Sequence, residues 1–277
     1  MRKRLSILLC LLAALLFCGA AAPAEPPGPA LRGYFFQAGK ADAILLTTEN
    51  GAVLIDTGEK GFGKEILAYC ADQGIDKLDC LILTHFDKDH IGGAARVLRD
   101  LPVGRVLQSC YAKDSKELKN YGKALKRAGR KAETVREELS FTLDGVTFTV
   151  DPPRLERYGD SPSNNTSLIV TVRCGRCRLL FTGDAESLRL TEWLAEDPAP
   201  CVFVKMPHHG AWNSALLPLL EKMQPRFAVV TCSEEEPENP KTRELLERFG
   251  AECFCTREAP VLLSCDGTEL FLRYEGQ

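Results

Sequence analysis

The stretch Leu78-Asp79-Cys80-Leu81-Ile82-Leu83 runs without a break into Thr84-His85-Phe86-Asp87-Lys88-Asp89-His90-Ile91-Gly92-Gly93. A run that apolar reads as a buried strand rather than a surface ribbon. His85, Asp87, Asp89 and His90 therefore follow a strand end, where loops are exposed yet held by a rigid sheet. Capping the helix expected after Gly92 would need only one aspartate. Four ionisable groups in six residues would repel or go unpaired if buried without a cation.

Around this point short apolar strands alternate with helical stretches from about Leu31 onward. Strands are expected at Leu31–Phe36, Ala43–Thr48, Ala52–Ile55, Leu78–Leu83, Val103–Gln108, Leu139–Leu143, Val146–Val150, Thr166–Arg173 and Arg178–Thr182. Further strands are expected at Cys201–Lys205, Phe227–Val230, Cys253–Thr256, Val261–Cys265 and Leu270–Tyr274. Helices are expected over Lys64–Gln73, from Gly92 to Asp100, and at Lys113–Ala128, Glu186–Leu194, Ser214–Met223 and Lys241–Phe249. Hairpins followed by strand–helix alternation in both halves fit an α/β protein of two packed mixed sheets with helices outside. No long linker divides residues 31–277, which read as one domain.

The N-terminus reads differently. Arg2, Lys3 and Arg4 precede the apolar run Leu5–Phe17 and the small residues Gly19 to Ala24. That is the layout of a secretory signal peptide over residues 1–24, with residues 25–30 as a linker. The run is shorter than the ~20 apolar residues a membrane span needs. The expected location is outside the cell, secreted or attached to the outer face of the membrane; cleavage and lipoprotein anchoring at Cys18 stay open. A formal net charge of −3 argues against wholesale coating of nucleic acid. Cys80, Cys201 and Cys232 lie in or beside apolar runs, where cysteine is usually a small hydrophobe, so few or no disulfides are expected. Cys174 and Cys177 straddle a hairpin turn, as a cross-strand pair or as two thiols.

The chain has only 4 histidines, and all lie in two short motifs. His208-His209 follow the apolar strand Cys201–Lys205, in Met206-Pro207-His208-His209-Gly210. Arg178 to Thr182 ends in Gly183-Asp184, and an aspartate there can bridge two metals through its two oxygens. Imidazole nitrogen and carboxylate oxygen together suit zinc, manganese or iron. Asn164 and Asn165, before the next strand, are turn residues as readily as ligands.

In order and content these segments resemble the metallo-β-lactamase superfamily, and more narrowly the hydrolase domain of ComEC-type competence proteins, which are membrane DNA-uptake channels. The matching parts are Gln37–Ala43, Leu54-Ile55-Asp56-Thr57-Gly58, Thr84–Gly93, Asn164–Leu168, Phe181–Glu186 and Lys205–Ser214. The resemblance implies an αββα sandwich of four layers with a two-metal site, zinc or manganese, in the groove at the top of the two sheets. It implies His85 and Asp87 on one ion, Asp89, His90 and His208 on the other, and Asp184 bridging, with His209 the alternative to His208. Asp89 and Asp184 are the expected catalytic carboxylates; His209, Asn165 and Ser214 are the expected substrate contacts. Three departures concern the substrate: Lys40-Ala41-Asp42 in the Gly-rich turn, Ala211 after His-His-Gly, and Glu238-Asn239-Pro240 without the late histidine. No transmembrane channel is expected in this chain, which is therefore not expected to translocate DNA itself.

Two divalent ions roughly 3.5–4 Å apart lower the pKa of a shared water to near 7. Three ligand carboxylates against two such ions leave about one positive charge, which suits an anionic phosphodiester, with DNA and cell-envelope diesters as candidates. The alternatives are a carboxylic ester or thioester hydrolase and a non-catalytic surface binding module. Cleavage of β-lactams is not expected, because Asp87 stands where a histidine is usual. Lys113, Lys116, Lys119, Lys123, Lys126, Arg127, Arg130 and Lys131, with Tyr111 and Tyr121, form a basic run. It reads as a solvated helix face more readily than as a nucleic-acid surface.

Overall fold

The structure, a computed structural model, describes residues 30–277; the expected signal peptide and all but the last linker residue lie outside the described residues. Strands β1 (Leu31–Phe35), β2 (Ile44–Thr47) and β3 (Ala52–Ile55) form an antiparallel meander, followed by helix α1 (Gly63–Asp72) and strand β4 (Leu78–Leu83). The one-turn helix α2 (Lys88–Ile91) carries His90 and leads to α3 (Ala94–Asp100), β5 (Val103–Gln108), α4 (Lys116–Arg127) and the two-residue β6 (Glu133–Thr134). Strands β7 (Leu139–Leu143), β8 (Val146–Asp151), β9 (Ile169–Cys174) and β10 (Cys177–Phe181) open the second half, followed by α5 (Ser187–Leu194) and β11 (Phe203–Lys205). Helix α6 (Leu216–Met223), β12 (Phe227–Val230), α7 (Pro240–Arg248), β13 (Glu252–Cys255), β14 (Val261–Cys265) and β15 (Leu270–Tyr274) complete the chain.

One sheet has the order β15-β14-β1-β2-β3-β4-β5-β6 and the other β13-β12-β11-β10-β9-β8-β7. Strands β3 to β6 run parallel, as do β10 to β13, while the remaining pairs are antiparallel. The period-two alternation of side chains decides the layering. On β2 and β3, Ile44, Leu46, Val53 and Ile55 point between the sheets, while Leu45 and Leu54 point outward beneath α1 and α3. Beyond the second sheet, Leu180, Val204, Ala228 and Val230 pack under α5, α6 and α7. The result is helix, sheet, sheet, helix: the expected αββα sandwich.

Differences from the sequence expectation are local. The strand expected from Thr166 begins at Ile169, because Asn164–Thr166 form a 3-10 turn fixed by the Thr166 hydroxyl on the Ser163 carbonyl. Strand β6 went unforeseen, since a two-residue strand has no periodicity to read. Cys174 and Cys177 are cross-strand partners at the β9–β10 hairpin.

Between the sheets, Phe35 of β1 meets Phe181 of β10 and Phe203 of β11 at ring-centroid distances of 6.1 and 5.6 Å. All three rings are buried, and Phe181 directly precedes Thr182-Gly183-Asp184. Because this cluster locks one sheet onto the other, Phe35→Ala should destabilise folding by about 3–5 kcal/mol in urea denaturation. A loss under about 1 kcal/mol would mean that the sheets do not depend on it.

Candidate metal centre

All the groups of the site emerge from one end of the sandwich. Asp56 follows β3, Thr84 and His85 follow β4, Asp184 follows β10, and the His208-His209 turn follows β11. These are the carboxyl ends of parallel strands, where an α/β sheet opens a cleft. Asp42 enters from the loop before β2, which is antiparallel to β3 and so begins at the same end.

Asp184 lies at the centre, 2% exposed. Its Oδ2 is 3.2 Å from His90 Nε2, 3.3 Å from His209 Nε2, and 3.9 Å from both His85 Nε2 and His208 Nε2. Asp89 Oδ2 lies 3.4 Å from His209 Nε2 and 3.8 Å from His90 Nε2. One donor atom each from Asp89, His90, Asp184 and His209 falls within 4.8 Å of the others, a grouping able to hold a metal ion.

The far side of each imidazole decides what its Nε2 can do. Asp56 Oδ2 lies 2.8 Å from His90 Nδ1, so this nitrogen carries the proton and donates it. Thr231 gives its hydroxyl proton to Asp42 Oδ1 at 2.6 Å, so toward His209 Nδ1, 3.0 Å away, it can only accept. Thr84 gives its hydroxyl proton to Asp56 Oδ2 at 2.6 Å and can only accept from His85 Nδ1, at 3.1 Å. All three rings therefore commit Nδ1–H to the outer partners and turn Nε2 toward Asp184. The buried Nε2 atoms of His85, His90 and His209, together with Asp184 Oδ1, make no hydrogen bond. Such orphaned buried groups are costly unless something fills the gap, and a divalent cation fits this donor set.

Charge points the same way. Asp42, Asp56, Asp87, Asp89 and Asp184 are five carboxylates, against which stand Lys205, buried on Asp42, and Lys113, 2.5 Å from Asp87. Five minus two leaves three negative charges, which two divalent ions would turn into one positive charge. Without a cation, protons take its place. Against the opposing effect of burial, the charge of Asp184 and its contacts with Asp184 and Asp89 lift His209 to about 9. Against its burial, the charges of Asp184 and Asp56 likewise raise His90 well above its ordinary value. Burial and the neighbouring His90 drop His85 to about 4. Burial would raise Asp184, but His209 and His90 hold it well below the usual carboxylate range. Lys205 does the same for Asp42 against its burial.

The expected site residues do not all come together. His85, Asp89, His90 and Asp184 meet at the centre with His209, which had been expected among the substrate contacts and as the alternative to His208 on the metal. Asp87 lies at the rim, half-buried, hydrogen-bonded by Ser163 and paired with Lys113. His208 is also at the rim, with Nδ1 3.1 Å from Glu186 Oε1 and Nε2 3.5 Å from Asn164 Nδ2. The expectation for Asn165 needs correction: its buried amide donates to the Asp160 carbonyl and accepts from the Arg189 backbone, so it is spent inside the fold. Ser214 is exposed and bonds Ser187. Tyr121 is likewise withdrawn from base stacking, buried with its hydroxyl on Gln108. The sequence reading missed roles for Asp42, Asp56, Lys205 and Thr231. A lysine closing an otherwise apolar strand was the readable signal for Lys205; a threonine after β12 carries none.

The family model described as Metallo-beta-lactamase superfamily matches residues 37–233. ComE operon protein 3 of Bacillus subtilis (strain 168) is 28% identical over 233 residues, 76% of this chain and 30% of that protein. Recombination protein 2 of Haemophilus influenzae is 28% identical over 207 residues, 72% of this chain and 24% of that protein. The chain thus spans less than a third of the length of either relative. Among solved structures, the metallo-beta-lactamase fold protein YhfI from Bacillus subtilis superimposes with a TM-score of 0.56 at 12% identity, covering 89% of this chain and 100% of that one. Igni18, a metallo hydrolase from Ignicoccus hospitalis, gives 0.53 at 12% identity, covering 88% and 98%. Both likenesses concern the fold.

Two outcomes are expected. Thr231→Val removes the acceptor of His209 Nδ1–H and should weaken zinc binding roughly 10- to 100-fold in competition with a chromophoric chelator. In metal-free protein, the stability that charged His209 contributes is complete below 6.5, its unfolded value, and lost as pH rises toward about 9. For His85 the sign reverses: its contribution is complete above 6.5 and lost as pH falls toward about 4. Tm measured in chelator should therefore peak near pH 6.5, and a steady rise from pH 5 to 9 would contradict this charge assignment.

Proposed function

Since the chain belongs to the metallo-β-lactamase superfamily, whose model matches residues 37–233, we propose that it is an exported, metal-dependent phosphodiesterase. The observation that carries the reading is the convergence of three histidine Nε2 atoms, two from the segment after β4 and one from the turn after β11, on the single carboxylate of Asp184. Asp89, His90, His209 and Asp184 would hold one divalent ion; His85 and Asp184, with Asp87 and His208 at the rim, would hold a second, zinc or manganese. When bound, such ions supply an activated water at neutral pH and polarise a phosphoryl oxygen.

The chain's own part is to hold the donors still. Asp56 and the Asp42–Thr231 pair fix the tautomers of His90 and His209, so that no reorganisation is needed when a substrate arrives. Lys205 neutralises Asp42 from below, leaving the cleft itself to present the excess positive charge of the loaded centre. That charge favours an anionic substrate. The name of Recombination protein 2 supports DNA as the diester to test first. Among the described residues no helix is long and apolar enough to cross a membrane. Export rests on the basic and apolar N-terminal segment.

The full chain, loaded with manganese or with zinc, should cleave bis(p-nitrophenyl) phosphate and single- or double-stranded DNA. Asp184→Asn should lower turnover at least roughly a hundredfold, and a chelator should abolish it. Turnover of a thioester with no diester cleavage would replace phosphodiester by acyl chemistry. Inertness of metal-loaded protein toward every substrate would make the chain a binding module.

A further inference from the structure

Ligating side chains meet a second time behind the His208–Gly210 turn, away from the metal centre. Cys232, just after β12, Cys255 on β13 and Glu238 between them each place a donor atom within 4.8 Å of the others, and all three residues are buried. A cation does not suit this cluster. Arg243 donates to Glu238 Oε1, from Nε at 2.6 Å and also from Nη2, and Arg257 donates to Oε2. Both carboxylate oxygens are thus occupied by guanidinium groups. The same two arginines flank the sulfurs, Arg257 3.7 Å from Cys232 Sγ and Arg243 3.7 Å from Cys255 Sγ. What is left is a pair of thiols in contact across neighbouring parallel strands.

We propose that Cys232 and Cys255 form a reversible disulfide that clamps β12 to β13 behind the metal centre, with Cys253 as the thiol through which oxidant enters. Cys253 and Cys255, two apart on one strand, share a face, and Cys253 is the half-buried member. A small-molecule disulfide such as oxidised glutathione exchanges first with Cys253. Two further exchanges then pass the bond to Cys255 and Cys232. Overall two protein thiols are oxidised to one S–S bond. The S–S bond of glutathione breaks, and it leaves as two thiols carrying the two protons. The transfers to Cys255 and Cys232 are slow at neutral pH, because those two thiols stay protonated. Although a hydrogen bond with Cys232 lowers it, the Cys253 contact and burial push Cys255 up to about 12. The bond with Cys255 and burial raise Cys232 further.

The clamp bears on the site because Thr231, adjacent to Cys232, holds the ring of His209. The Cys232 backbone N–H already donates to the Thr256 hydroxyl at 3.1 Å, which ties the chain after β12 to the end of β13, although Cys255 itself pairs with Val230. Closing a loop of about twenty residues should raise Tm by roughly 5–10 °C.

The test uses the full chain, reduced, then incubated with oxidised glutathione, alkylated and mapped without reductant by mass spectrometry. The expected result is a peptide pair joined through Cys232 and Cys255, with the rise in Tm reversed by dithiothreitol. Cys253→Ala should slow formation about tenfold without changing the final pair, and Cys232→Ala should remove both the pair and the Tm rise. The proposal fails if both thiols alkylate fully after oxidation, or if either is joined instead to another cysteine. It also fails if the protein carries zinc that is lost in Cys232→Ala but kept in His209→Ala, which would make the cluster a metal site.

Discussion

The carboxylate of Asp184 is the point at which the two sheets become electrostatically dependent on each other. It follows β10 in the second sheet, whereas His85 and His90 follow β4 in the first and His209 follows β11 in the second. A fully desolvated carboxylate with an orphaned oxygen would be strongly destabilising without positive charge around it. The sandwich therefore cannot bring its strand ends together cheaply unless cations or protons occupy the space between them. The phenylalanine cluster directly below supplies the apolar interlock that holds the sheets at the required spacing.

Competition between protons and metal follows from that arrangement. The same imidazoles that Asp184 charges in the metal-free protein must be neutral to bind a cation, so metal uptake releases protons and strengthens as pH rises. The outer hydrogen bonds are set for the metal-bound case. Asp56 and the Thr231–Asp42 pair take the Nδ1 protons of His90 and His209, leaving Nε2 as the only nitrogen free to respond. Asp56 itself is raised by burial, so its bond to His90 matters to both partners. Lys205 reaches Asp42 and lies 3.3 Å from the Gly183 carbonyl, joining the outer network to the turn that presents Asp184.

The sheets were legible because their strands are short, strongly apolar and punctuated by turns; β3, β4, β5 and β12 begin and end where the pattern predicts. The inner donors were legible for a different reason: an apolar strand followed by clustered histidines and aspartates has few structural uses. The outer network was not, because Asp42, Thr231 and Lys205 are separated by up to 189 residues and none lies in a charged cluster. Only the folded chain brings them within bonding distance. Asn165 failed in the opposite way: an asparagine beside a family motif looks functional, yet its amide satisfies backbone groups that the 3-10 turn leaves open.

The choice between His208 and His209 turns on backbone geometry that composition does not encode. After Pro207 both histidines and Gly210 take left-handed dihedrals, with φ of 48, 54 and 77 degrees. Two consecutive non-glycine residues there are strained and need support from their surroundings. The turn sends His209 inward and leaves His208 at the rim, 29% exposed. Its support comes from behind: a Cβ on Gly210 would lie 2.7 Å from the Cβ of Glu238, and Asn239 N–H donates to the Gly210 carbonyl at 3.0 Å. Arg243 and Arg257 in turn fix Glu238. The Glu238-Asn239-Pro240 segment, which departs from the resembled family by lacking its late histidine, thus braces the strained turn. Strain at the histidine pair and the buried ion cluster behind it are two sides of one solution to placing Nε2 of His209 on Asp184.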